Sequence, residues 1–327
     1  MRIAVSGSIA MDHLMVFPGR FADQLVPDRL DRVSLSFLAD TLHIRPGGVA
    51  ANIAHGLGQL GFSPVLIGAV GSDFEPYRVL LKEQGVDTES VRISPELHTA
   101  RFVCTTDIEQ NQIATFYTGA MAEARHIPLA PVLARTGGVD LVLVSPNDPE
   151  AMLRHTRECH ELGVPVAADP SQQLARLDRD QVRALIDHSR MLFTNEYESV
   201  LLQERSGWTQ EQILGRTGLW ITTLGAAGSR IRRAGRTTVE VPAAPARTVA
   251  DPTGVGDAYR AGFLAALAWG EDLREAARFA SVTAVLALES VGTQEHALRP
   301  AELLSRLAEA YGPAAADPFT DRLAVRP

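Results

Sequence analysis

The chain has 327 residues, 46% hydrophobic and 21% charged, with a formal net charge of -8. That length suits one large domain with an appendage, or two domains, and the acidic balance argues against nucleic acid as the main partner. The longest apolar runs, in AGFLAALAW and VTAVLALE, are too short to span a bilayer, so no membrane partner is expected.

In chain order, the opening MRIAVSG reads as a first strand rather than a signal peptide, so a cytoplasmic protein is expected. Residues 12–45 hold no good long helix and read as strands of a small projecting sheet. A helix follows, with Ile53, Leu57 and Leu60 on one face, and then the strand PVLIGAVG. Residues 97–118 read as two β runs, TARFVCTT and QIATFYT, around a polar turn. From about residue 140, continuous apolar runs (DLVLVS, PVAAD, MLFTN, LWITTLG) alternate with helical patterns. Strands buried on both faces and separated by helices make a parallel α/β sheet. The expected organisation is a large domain of 1–11, 46–96 and 119–312, a β lid of 12–45 and 97–118, and a loosely ordered tail, 313–327.

Cys104 and Cys159 show no CxxC spacing and read as packing residues. The histidines lack helical ligand spacing, which argues against zinc. Lys82 is the sole lysine and belongs to no GxxxxGK[ST], which excludes a P-loop.

Two glycine-rich segments carry chemistry. In RPGGVAANIAHGLGQLG, residues 45–61, the GxGxxG from Gly56 to Gly61 would suit a dinucleotide-binding oxidoreductase, but it ends a helix instead of opening one. A helix C-terminus with a close packing contact is the better reading. Gly47, Gly48 and Asn52 suit a vicinal diol, and a helix cap would use the same glycines. In DPTGVGDAYRAGF, residues 251–263, Gly254 and Gly256 free the backbone to aim N–H groups at an anion, with a helix dipole behind them. Asp257 then fits a general base that takes a proton from an attacking hydroxyl. An ordinary helix-start carboxylate is the competing reading.

Together, GGVAANIA and DPTGVGDAYRAGF, with Asn195 and Glu198 in TNEYESVL and the later turn TTLGAAGS, resemble the PfkB (ribokinase-like) family of carbohydrate and nucleoside kinases. SGSIAMDHLM, VSLSFL, ADPSQQLARL and LESVGTQE are similar in particular to the actinobacterial adenosine kinases. The resemblance implies a ribokinase-like, mostly parallel sheet flanked by helices, with a small β-sheet lid. It makes Asp257 the catalytic base and Gly254, Val255 and Gly256 the anion hole. ATP would be lined by Asn195, Thr223, Gly225, Gly228 and Gly256. Asn195 and Glu198 would organise Mg²⁺, partly through water, and Asp251 and Thr253 would mark a monovalent cation site, with K⁺ the candidate. Asp12, Gly48 and Asn52 would take the sugar hydroxyls. A regulator on the same fold that binds without catalysis would be expected to lose Asp257.

Many sugar kinases of the family carry D-x-N-x-R where this chain reads Asp169-Pro170-Ser171-Gln172-Gln173, with Arg176 slightly later as a candidate for the charge. Gln172 and Gln173 suit a purine edge, or an exposed helix start. Phe102 and Phe116 suit a flat base, or simply the apolar side of the lid. Ser8 and Ser36 resemble further nucleoside contacts. The expected reaction is adenosine and ATP to AMP and ADP, in purine salvage. A ribokinase-like sugar kinase, or a kinase of another purine nucleoside, is the alternative. Leu38, Leu42 and Phe37 are expected to be exposed on the lid, which points to a homodimer through it.

Overall fold

The computed structural model describes residues 1–25, 32 and 34–324. Residues 26–31 and 33 of the expected lid, and 325–327 of the expected tail, lie outside the described residues. The strands are β1 (Ile3–Ser6), β2 (Ala10–Val16), β3 (Thr41–Gly47), β4 (Val65–Gly71), β5 (Val91–Ser94), β6 (Ala100–Thr106), β7 (Gln112–Tyr117), β8 (Leu141–Val144), β9 (Val166–Ala168), β10 (Met191–Asn195), β11 (Leu219–Thr223), β12 (Ser229–Arg232) and β13 (Val239–Val241). Nine of them form one sheet in the order β13-β12-β11-β10-β9-β8-β1-β4-β5. Pairing is parallel from β11 through to β5, and β12 and β13 extend the edge antiparallel.

The strands IAVS, VLIGAVG and LVLV are buried along their whole length because helices cover both faces. One face packs on Val49–Gln59, Val255–Trp269 and Leu273–Leu288 through residues such as Ile53, Leu57, Phe263 and Phe279. The other packs on Pro149–Glu161, Arg179–Ile186 and Glu196–Ser206 through Met152, Leu185 and Leu202. β1 lies between β8 and β4, so the chain order reverses there. Open parallel sheets bind ligands at such a switch point, outside the carboxyl ends of the strands.

The lid is a four-stranded sheet, β3-β2-β6-β7. It reaches from Ala10 and to Gly47, slightly past the expected hinges at 12 and 45. Its register sets Arg45, Asp12, Phe102 and Phe116 in one row across the four strands. Side chains opposite one another in a ladder share a face, so this row puts a carboxylate and two aromatic rings on the same side.

Two expectations need correction. The tail is not loose: Asp317–Ala324 is a helix whose Phe319 and Leu323, four apart, are buried. Phe319 stacks on Phe279 with centroids 4.6 Å apart; the Pro- and Ala-rich composition hid that single apolar face. Phe37 is not exposed on the lid either, because it packs against Phe17 and Phe21 at 5.1 and 4.8 Å between centroids. Leu38 and Leu42 are exposed as expected.

Helices Val49–Gln59 and Val255–Trp269 touch side by side. A Cβ built on Gly56 would stand 2.8 Å from Ala261 Cβ, and one turn earlier Asn52 meets Asp257. The equal four-residue spacing means that the two helices run parallel, with their starts at the same end. Gly56→Val should push them apart and destabilise the fold by about 1–3 kcal/mol through overpacking, measured by denaturant unfolding. Unchanged stability would mean that the crossing tolerates a side chain.

Candidate active site

The site begins at the start of helix Val255–Trp269. Gly254 takes a left-handed conformation, φ 79°, which a residue with a Cβ adopts only under strain. No side chain of the described residues caps this helix, so the first-turn N–H groups remain for an anion, reinforced by the dipole. Gly254 and Gly256 line a cavity of about 770 Å³ together with Asp257. Val255, between them, is not among the lining residues, and its side chain packs on the core.

Asp257 accepts a 2.8 Å hydrogen bond from Asn52 Nδ2. Burial pushes its pKa up to about 6; Arg260 and the Asn52 hydrogen bond pull the other way, and Asp12 adds to the rise. A carboxylate poised there is ionised near neutral pH yet basic enough to take a proton. Asn52 opens helix Val49–Gln59, whose start is held by Ser8: the Ser8 hydroxyl accepts from Val49 N–H at 3.0 Å and its carbonyl accepts from Ala50 N–H. Gly48, φ 94°, is forced by the same contact, because a Cβ there would lie 2.6 Å from Ala10 N. Ser8 and Gly48 line the cavity, but they also build the turn that delivers Asn52.

Beneath Asp257 lies a pair that sequence reasoning missed. Arg260, three residues on and buried, grips Asp169 with two contacts of 2.6 Å. Burial works against the guanidinium's charge, but Asp169, and after it Asp257, outweigh that and raise its pKa. Gly256 leaves room for this cation, since a Cβ would stand 2.8 Å from Arg260 Nη1. Asp169 therefore pairs with Arg260 and not with Arg176, which lines the cavity and makes no ion pair among the described residues.

Asp12, Phe102 and Phe116 face the cavity from the lid row. Burial, and then Asp251, push Asp12 up to about 6. Opposite the lid, Gln172 and Gln173 follow Ser171, whose φ of 43° is strained for a residue with a side chain. The Ser171 hydroxyl is 2.6 Å from Gln172 Oε1 and 3.2 Å from Glu198 Oε1, tying the two neighbourhoods together. Gln173 is buried, and its Oε1 finds no hydrogen-bond partner among the described residues. A buried amide oxygen left unpaired costs about 1–3 kcal/mol; this one is closed off from the cavity that Gln173 lines, and only a turn of the side chain would bring it to a ligand.

On the far side, Asn195, Glu198, Thr223 and Gly225 line the cavity at the ends of β10 and β11. Asn195 and Glu198 form a reciprocal cap, each accepting the other's N–H at 2.7 Å. That leaves Glu198 Oε1, facing Ser171, with acceptor capacity to spare. Among the described residues no three His, Cys, Asp or Glu side chains gather to hold a metal. A single free carboxylate oxygen in the cavity wall fits Mg²⁺, which keeps most of its ligands as water and phosphate.

Several expected residues lie elsewhere. Ser36 is exposed and outside the cavity, on the stretch that carries Phe37 into its aromatic cluster. Gly228 is also outside it; its φ of 96° closes the turn from β11 into β12, where its backbone approaches the Val241 carbonyl. Asp251 lies behind the cavity wall and accepts N–H groups from Thr253 and Gly292 at 2.9 and 3.0 Å, while Thr253 does line the cavity. The GxGxxG is a packing and C-terminal element, as Gly56 on Ala261 and Gly61 at φ 85° show. No helix among the described residues is long and apolar enough to cross a membrane.

Residues 8–299 match the pfkB family of carbohydrate kinases. A nucleoside kinase of Methanocaldococcus jannaschii is 33% identical over 251 residues, covering 76% of this chain and 80% of that one. A ribokinase of Bacillus subtilis is 29% identical over 89% of this chain and 94% of its own length. The structure of a Burkholderia thailandensis nucleoside kinase in complex with inosine superposes with a TM-score of 0.83 at 34% identity, covering 95% of this chain and 98% of that one.

Proposed function

The chain belongs to the pfkB family of carbohydrate kinases, phosphotransferases with a hydroxyl acceptor, and we propose that its acceptor is the 5′-hydroxyl of a purine nucleoside, adenosine foremost. The observation that carries this reading is one cavity lined together by Gln172, Gln173, Phe102, Phe116, Asp12 and Asp257. A glutamine amide matches the adenine edge, accepting from the 6-amino group and donating to a ring nitrogen. The two rings of the lid row give a flat base an apolar wall. Asp12 accepts from the ribose diol, which leaves the 5′-hydroxyl for Asp257.

In the proposed reaction the nucleoside oxygen attacks the γ-phosphorus of ATP as Asp257 takes its proton. The bond to the β-phosphate oxygen breaks, and ADP leaves. The first-turn N–H groups at Gly254, Val255 and Gly256 hold the charge on the transferred phosphoryl oxygens. Thr223, Gly225, Asn195 and Glu198 hold the nucleotide end. Asn195 and Glu198 would hold Mg²⁺, partly through water, and the ion would neutralise phosphate charge. We extend the proposal to a monovalent cation beside Asp251 and Thr253, and to a second copy of this chain on the outer lid face, where Leu42, Ile44 and Ile113 are exposed.

The inosine bound by the B. thailandensis kinase favours a second reading. Hypoxanthine carries a carbonyl where adenine carries the amino group, and a turned Gln173 amide would donate to it. ADP release with Mg²⁺-ATP, measured for adenosine, inosine, guanosine, ribose and fructose in potassium and in tetramethylammonium buffers, separates the cases. Adenosine should give the highest kcat/KM, and Gln173→Leu should lower it by about tenfold or more, with less effect on ribose. A free sugar turning over fastest would overturn the base-reading role.

Asp257→Asn should lower kcat by about 10²–10⁴ while nucleoside binding, followed by calorimetry, persists. Because the base works only when ionised, wild-type kcat/KM should be level above its pKa of about 6 and fall with acidification below it. Near-wild-type turnover by the variant would contradict the assignment. Light scattering should find a dimer, and Leu42→Asp with Ile44→Asp should return it to monomer; a monomeric wild type would contradict the lid contact.

A further inference from the structure

Asn52 does not choose its orientation alone. Its Oδ1 accepts from Gln294 Nε2 at 2.9 Å, and the same nitrogen donates at 2.5 Å to the Tyr77 hydroxyl. Tyr77, fully buried in helix Glu75–Glu83, donates in turn to the Gly47 carbonyl at 3.0 Å. Donor and acceptor roles along this chain are fixed from its far end. A carbonyl only accepts, so the phenol must spend its hydrogen there and receive one from Gln294. The second hydrogen of the Gln294 amide then goes to Asn52 Oδ1, which leaves Asn52 Nδ2 facing Asp257. Neither Gln294 nor Tyr77 lines the cavity.

We infer that Gln294 and Tyr77 are positioning residues that lock the Asn52 amide with its NH₂ group toward Asp257, keeping that carboxylate an ionised acceptor. This rests on the proposed role of Asp257 as base. The charged and titratable groups around Asp257 are Arg260 on its own helix, Asp12 from β2, Asp169 after β9 and Tyr77 itself. Without the lock, Asn52 is free to turn its oxygen toward Asp257, which favours the protonated acid.

The test is the pH profile of kcat/KM, with melting temperature recorded for every variant. Gln294→Met keeps volume and adds no charge. It should move the acid limb up by about one pH unit and lower kcat/KM about fivefold near pH 6, approaching tenfold at lower pH. Gln294→Glu presents an acceptor to Asn52 and should move the limb further. Tyr77→Phe, which keeps the ring in place, should move it in the same direction. A wild-type limb unchanged in both Gln294→Met and Tyr77→Phe would overturn the inference, as would a loss of rate that merely tracks melting temperature with no movement of the limb. A wild-type enzyme with no acid limb at all would instead sink the base assignment beneath it.

Discussion

The buried guanidinium of Arg260 resolves a conflict of charge at the start of helix Val255–Trp269. That helix start is open to an anion and carries a carboxylate of its own, Asp257. Two unit negative charges about 4 Å apart repel by about 4 kcal/mol at an effective dielectric of 20. A helix start returns up to about 2 kcal/mol in a partly buried geometry. Arg260, which lines the same cavity and passes close beneath Gly256, favours the ionised form of Asp257, with Asp169 offsetting part of its charge. Gly256 is therefore needed twice, for the N–H it presents and for the cation it lets in.

The rest of the architecture delivers other groups to that point. Helices Val49–Gln59 and Val255–Trp269 lie parallel through Gly56 and Ala261, so both starts open on the same crevice at the carboxyl ends of the sheet. The turn through Ser8 and Gly48 begins the first of these helices, and the same few residues lead into the lid. One lid row then hangs Asp12, Phe102 and Phe116 over the helix starts. A hydroxyl-bearing ligand with a flat ring would be held between the helix starts and the small sheet. Closure of such a sheet excludes water, which matters for a reaction in which water would compete as acceptor.

Much of this was legible in the sequence because it is local. Continuous apolar runs between helical patterns gave the parallel sheet, and the two inserts gave the lid. Asp257, Gly254, Gly256, Asn52, Gln172, Gln173, Phe102 and Phe116 all reach the cavity where their motifs suggested. What stayed hidden depends on partners far along the chain. Arg260 looked like any helical arginine, since its partner Asp169 is 91 residues away. Gln294 sits in a stretch without periodicity, 242 residues from the Asn52 it orients. Ser36 and Gly228 carried the resemblance but lie outside the cavity, and the tail concealed a two-residue apolar face. Motif reading finds groups that act together in sequence; it does not find the counter-charges and hydrogen-bond chains that set their state.

The central claim is that one cavity holds a nucleoside with its 5′-oxygen on Asp257 and its base on Gln173. The most direct measurement is a crystal structure of this protein with adenosine and a non-hydrolysable ATP analogue. That structure should show the 5′-oxygen within about 2.6–3.2 Å of an Asp257 carboxylate oxygen, the 6-amino group donating to Gln173 Oε1, and the ring against Phe102 and Phe116. Adenosine bound with its 5′-oxygen turned away from Asp257, or with Gln173 Oε1 still unpaired, would contradict it.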